Sequence, residues 1–87
     1  MGSIVLNNSA GRALRRKAAD VLARNVLDCI GAFAAGDTVY ITFRGADGGQ
    51  YVIATGVASC NEDELRRKMG AGEEAVVVRV QDVKLLW

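Results

Sequence analysis

Histidine is absent from this 87-residue chain. That removes the usual general base, the usual partner of a nucleophilic serine or cysteine, and the commonest zinc ligand, so catalytic triads and structural zinc sites are all but excluded. Cysteine is scarce: only Cys29 and Cys60 are present, each among apolar neighbours, which fits two buried free thiols better than a disulfide. Neither sign of charge dominates, because eleven Lys and Arg face ten Asp and Glu for a net charge of +1. Any nucleic-acid binding must therefore come from a local patch. No apolar run approaches the roughly 20 residues that cross a bilayer, and the N-terminus has neither a basic nor an apolar signal region. A cytoplasmic protein with no membrane partner is expected.

What is there suits one small folded domain. Half of the residues are hydrophobic and about a quarter charged, the balance of a globular chain with room for a single core. The leading "MGS", residues 1–3, looks like an expression-tag remnant and is set aside, leaving 4–87 as one domain.

Ile4–Leu6 reads as a short strand that ends at a cap signal, Asn8 or Ser9. Ala10, Ala13, Leu14, Ala18, Val21 and Leu22 then recur at helical spacing, predicting an amphipathic helix. Its other side carries Arg12, Arg15 and Arg16, three and four apart and hence neighbours, with Lys17 beside them. Between Leu22 and Ile30 the apolar residues show no clear period, and a short strand is expected. "TVYITFR" alternates, with Val39, Ile41 and Phe43 on one face and Thr38, Tyr40, Thr42 and Arg44 on the other. "GADGGQ" is turn chemistry and "YVIATGVAS" resumes the strand, so residues 38–59 form a hairpin. Gly56 in its second arm signals a bulge or a close backbone approach.

"NEDELRRKMG" has a complete helix grammar. Asn61 fits the N-cap, Glu64 its capping-box partner, and Cys60 and Leu65 the hydrophobic staple. The acids Glu62, Asp63 and Glu64 lie in the first turn and Arg66, Arg67 and Lys68 near the last, each sign complementing the helix dipole. Gly70 fits the stop. "AVVVRV" and "VKLLW" read as final strands, with Val76, Val78 and Val80 on one face and "QD" as the turn between them. The element order predicts a mainly β, α+β domain: a mixed, largely antiparallel sheet curled into a small barrel, with two short helices at its ends or edges.

Few residue sets invite chemistry. "GADGG" lacks the Lys and Ser or Thr of a phosphate loop and leads into a strand, not a helix. Glu62, Asp63 and Glu64 splay around a helix, and Glu73 and Glu74 sit in a loop, so neither group forms a carboxylate pair or metal site. The stripe Arg12, Arg15, Arg16 and Lys17 remains, either as a solvated helix face or as a set of phosphate contacts. Arg44 and Arg79 could extend it. Tyr40 and Tyr51 either cover the outer barrel surface or stack bases beside the basic face.

The order of these motifs resembles the PUA domain, most closely the form that ends bacterial-type glutamate 5-kinases. Phe33, Gly36, Asp37, Val39 and Ile41 match its approach to the hairpin. Ile53, Ala54, Gly56 and Val57 match the second arm, and Asn61, Glu64, Leu65, Arg66 and Gly70 the helix that follows. Arg12, Ala13 and Leu14 fall in register with the family's first helix, and "RVQDVKLL" resembles its last strand. Thr55 stands where a basic residue is common, Ser59 and Cys60 stand where an Asn-Tyr pair is often found, and Ala18, Ala19 and Asp20 replace a Gly-Lys-Ser type loop.

The resemblance implies a pseudo-barrel whose relatives in RNA-modifying enzymes hold RNA along the first helix and neighbouring strands. In glutamate 5-kinase, a transferase of proline biosynthesis, it implies a C-terminal accessory domain without catalytic residues. No cofactor belongs to this chain, since ATP and magnesium are handled by a separate kinase domain. The expected partners are the parent kinase domain, a second copy of the chain, or RNA bound through Arg12, Arg15, Arg16 and Lys17. A further reading is a protein-interaction domain that uses Trp87 and the valine-rich last strand.

Overall fold

The computed structural model describes residues 2–16, 19–72 and 74–86. Met1, Lys17, Ala18, Glu73 and Trp87, which figure in the readings above, lie outside the described residues. The elements run β1 (Ser3–Leu6), α1 (Asn8–Arg15), β2 (Val21–Leu22), β3 (Val26–Ile30), β4 (Thr38–Arg44), β5 (Gln50–Val57), α2 (Glu62–Ala71), β6 (Val76–Val78) and β7 (Lys84–Leu85). Single 3-10 turns occupy Ala23–Asn25 and Val80–Asp82.

The alternation in β4 and β5 builds the predicted hairpin at the centre of a five-stranded sheet, in the order β3-β1-β4-β5-β7. β1 lies parallel to β4 and the other ladders are antiparallel, so the sheet is mixed. β2 and β6 form a second, two-stranded sheet. The end of β5 joins the two: Ala58 bridges Val78, and the Ser59 amide donates to the Val77 carbonyl at 2.7 Å. That junction curls the strands into a mainly β pseudo-barrel with two short helices.

Inside lie Ile4, Leu6, Leu14, Val39, Ile41, Ile53 and Leu65, all essentially without solvent contact. Burying each stabilises the fold by about 1.5–3 kcal/mol before entropy is counted. Thr42 departs from the simple alternation because its hydroxyl donates to the Ile4 carbonyl at 3.2 Å. Both cysteines are free and buried. The Cys29 sulfur and carbonyl oxygen accept from the Arg66 guanidinium at 3.2 and 3.1 Å, while burial pushes the Cys60 thiol up.

Several expectations need correction. The first helix is capped by Asn7, whose Oδ1 accepts from the Ala10 amide at 2.8 Å, and not by Asn8 or Ser9. It ends at Arg15 instead of running to Leu22. Val21 and Leu22 fit a strand as well as a helical period, and pairing with Val78 and Val76 decides for the strand. Asp20 supports that choice by accepting from the Val80 amide at 2.7 Å. In β6, Val77 is the extra residue of a bulge opposite Val21 and Leu22, so Val77 and Val78 are both buried while Val76 is exposed. Val80 belongs to a 3-10 turn, not to a strand face. Residues 2 and 3 also take part in the fold. Ser3 pairs with Ile30 and Tyr40, and the Gly2 carbonyl accepts from the Tyr40 amide at 2.9 Å. At Gly56 it is a side chain and not backbone that comes close, since a Cβ there would stand 2.6 Å from Val78 Cγ1, and the hairpin's bulge falls elsewhere, between Ile41 and Thr42.

In α2 the Asn61 cap accepts from the Glu64 amide at 2.8 Å, but the stop is Gly72, at φ 66°, and not Gly70. Gly70 sits inside the helix with open space where a Cβ would be. Gly70→Ala should therefore raise stability by about 0.5–1 kcal/mol, and Gly72→Ala should lower it, because only the second residue needs the left-handed backbone. Paired urea melts read both signs.

Candidate nucleic-acid interface on the first helix

Gly11 determines how α1 meets the sheet. A Cβ at this position would lie 2.6 Å from Phe43 Cβ, so the helix crosses β4 at a distance that any side chain would increase. Leu14 anchors the same side in the core. The opposite side turns Arg12 and Arg15 toward the hairpin turn. With Asn8, Phe43, Asp47 and Tyr51 they line an open cleft of about 400 Å³.

The stripe is only partly gathered there. Arg12 and Arg15 border the cleft, whereas Arg16, the C-cap residue, is exposed at the helix end and does not line it. Lys17 lies outside the described residues. Arg44 is exposed on β4 beside Phe43, and strand alternation aims it at the opposite face of the sheet. Arg79 is exposed next to Val80, whose amide binds Asp20 in the segment after α1.

The two tyrosines separate. Tyr51 enters the cleft with its ring 5.5 Å from that of Phe43, while Tyr40 stands on the outer face of the sheet, away from the arginines. The turn also brings in an acid. Asp47 Oδ2 accepts from the Tyr51 hydroxyl at 2.7 Å and Oδ1 from the Gly49 amide at 2.9 Å. From sequence Asp47 is only a turn former; its place opposite Arg12 and Arg15 depends on tertiary contact. The Tyr51 hydrogen bond, helped by the Gly49 amide, holds the Asp47 carboxyl below its usual range. The same bond raises the Tyr51 phenol.

A depressed acid stabilises the folded turn above its unfolded value and loses that effect as pH falls through the folded one. A raised phenol stabilises it below about 10 and loses that effect as pH rises through the folded value. The link is therefore intact at neutral pH. In a phenolate absorbance titration, Tyr51 should ionise above the ordinary tyrosine value, and Asp47→Asn should bring it down. An unchanged titration curve in the variant would count against the contact.

Chemically, the cleft offers two guanidinium groups, an aromatic pair and one carboxylate. It suits an anionic ligand with a flat group to stack, such as a nucleotide, with Asp47 opposing a second phosphate near the turn.

Comparison with known proteins agrees with this architecture. The family model of the PUA domain matches residues 2–82. Glutamate 5-kinases of Bifidobacterium longum strains DJO10A and NCC 2705 are 36% identical to this chain over 69 residues, covering 79% of it and 17% of each relative. The chain thus spans about one sixth of the length of these relatives. Among solved structures, a PUA domain from Aeropyrum pernix K1, crystallised as a tartrate complex, superposes with a TM-score of 0.77 at 22% identity, covering 90% of this chain and 40% of that one. A conserved PUA domain protein from Thermoplasma acidophilum gives 0.70 at 17% identity, with 88% and 45% covered. At such identities the two structures bear on the fold alone. Strand order, capped helices and a family model spanning nearly all of the residues converge, and the chain belongs to the PUA domain family.

Proposed function

We propose that this PUA domain is a non-catalytic accessory module of a glutamate 5-kinase, placed after the kinase domain and modulating its activity or assembly. The observation that carries the reading is the 36% identity to glutamate 5-kinases over most of the chain, against 17–22% for the two archaeal PUA proteins that share the fold. The domain's own chemistry is consistent with it. The glycine-rich turn at residues 45–49 connects two strands, and so presents no helix N-terminus to a nucleotide phosphate. Binding of ATP, glutamate and magnesium, and phosphoryl transfer in proline biosynthesis, fall to the kinase domain. The gene sequence ahead of β1 tests the reading. An amino-acid kinase domain is expected there, with ATP-dependent phosphorylation of glutamate by the full chain and none by the PUA domain alone; a parent chain without a kinase domain ends it.

The cleft favours a second reading, an RNA-binding module with Arg12 and Arg15 as phosphate contacts and Tyr51 as a stacking platform. Two phosphate contacts predict that log K falls with log salt at a slope of roughly −1.4 for single-stranded RNA. Arg12→Ala and Arg15→Ala should each reduce that slope by about 0.7, measured by fluorescence titration across salt concentrations. Absence of binding at low salt, or an unchanged slope in both variants, would remove this reading.

A further inference from the structure

The five-stranded sheet keeps its inner face on the core, and its outer face carries most of the exposed apolar surface. Ladder pairing defines the outer rows. Ile30, Ser3, Tyr40, Thr55 and Lys84 stand side by side across the five strands, with Thr38 and Val57 in the next row. Val52 lies on the same face beside Thr42. Leu85 packs against the core, so its neighbour Leu86, hydrogen-bonded to the Ile53 carbonyl, points outward with them. Five of the eight large hydrophobic residues exposed among the described residues therefore share this face: Ile30, Tyr40, Val52, Val57 and Leu86. Ile30 alone is 53% exposed. Charge is confined to the rim, at Asp28, Arg44 and Lys84. A surface on which Ser3, Thr38 and Thr55 separate the large apolar side chains, with a tyrosine near its centre and charges at the rim, has the anatomy of a protein interface.

The chain's path indicates what covers it. Ser3 sits in the row between Ile30 and Tyr40, and the Gly2 carbonyl is hydrogen-bonded to the Tyr40 amide. The backbone leading into β1 is thus fixed at the border of this face. Five-sixths of the length of the glutamate 5-kinase relatives lies outside the matched region. A domain joined ahead of β1 emerges beside the apolar face and experiences it at millimolar effective concentration, so an interface whose intrinsic Kd lies below that concentration is mostly occupied.

We propose that the outer face of this sheet, centred on Ile30, Tyr40 and Val57, docks the kinase domain that precedes it in the same chain. The proposal rests on the accessory-module reading. It further specifies an apolar partner surface that supplies an acceptor for the Tyr40 hydroxyl.

The test uses the full parent chain, wild type and with Ile30→Lys or Val57→Lys, both at exposed strand positions and checked for folding by circular dichroism. Linker cleavage by a protease and the radius of gyration from X-ray scattering are measured. The wild type should be compact with a protected linker, and each variant should be cut at least tenfold faster and have a larger radius of gyration. Hydrogen exchange of β3 and β4 in the wild type, before and after linker cleavage, gives a readout that needs no variant: both strands should exchange faster once the domains part. Unchanged cleavage, scattering and exchange overturn the docking while leaving the accessory reading in place. A gene without a kinase domain overturns both. A variant that loses an oligomer by light scattering while its linker stays protected assigns the face to a second copy of the chain and overturns the docking.

Discussion

Leu14→Ala should lower the stability of the domain by about 2–5 kcal/mol. Leu14 is 1% exposed and, with Gly11, is one of the two residues of α1 buried in the fold. Its removal leaves a cavity that the short helix can fill only by leaving its capped position. An 87-residue domain holds on the order of 4–13 kcal/mol in all, at roughly 0.05–0.15 kcal/mol per residue, so this one change takes a large share. The midpoint of thermal unfolding should fall by on the order of 10 °C or more. Ser9→Ala, at an exposed position of the same helix, should stay within about 0.5 kcal/mol of the parent. Because Leu14 also fixes the helix that carries Arg12 and Arg15, the variant should disturb the cleft before it unfolds. Equal melting of the two variants would mean that α1 is not anchored by this side chain.

The readability of each element tracks how local its determinants are. α2 was legible in its cap and its acidic first turn, which lie within a few positions; the stop differed, because the choice between Gly70 and Gly72 depends on the backbone angle, and the longer helix leaves only Lys68 of the three bases in the last turn. The hairpin was legible for the same reason. The end of α1 was not. Val21 and Leu22 continue the helical period, and the partners that make them a strand, Val78 and Val76, stand at the other end of the chain. The parallel ladder between β1 and β4 and the bulge that buries Val77 were invisible on the same grounds.

The candidate site divides likewise. Helical spacing placed Arg12 and Arg15 on one face, and the fold keeps them together. What the face looks toward is tertiary: Phe43, Tyr51 and Asp47 enter the cleft only because β4 and β5 fold under α1. The alternation in β4 separates Tyr40 from Phe43 from sequence alone, but not Tyr51 from Tyr40, since the bulge between Ile41 and Thr42 shifts the second arm by one residue.

Gly11→Val should be strongly damaging although the residue has no side chain to lose. The added Cβ would meet Phe43 Cβ and Cγ at 2.6 and 2.7 Å, atoms next to the β4 backbone that cannot swing aside. α1 must lift, or the β4 backbone at Phe43 must shift, and overpacking of this kind costs about 1–3 kcal/mol. Replacing glycine inside a helix is itself worth about 0.5–1 kcal/mol in the other direction, the gain expected in full for Gly70→Ala. At Gly11 the clash outweighs that gain for alanine, and more so for valine, whose branch adds volume and loses helix propensity. Urea midpoints should therefore fall in the order Gly, Ala, Val at position 11 and rise for alanine at position 70. Phe43→Ala removes the 2.7 Å contact with Cγ but keeps the one with Cβ at 2.6 Å, so in that background Gly11→Ala should be less destabilising but not stabilising, a coupling that a double-mutant cycle reads directly. Tyr51 rests against the Phe43 ring, so a lifted helix also separates Arg12 and Arg15 from the aromatic pair. Gly11→Val should thus open the cleft as it destabilises the fold; a Gly11→Ala variant as stable as Gly70→Ala would refute the close crossing on which the site depends.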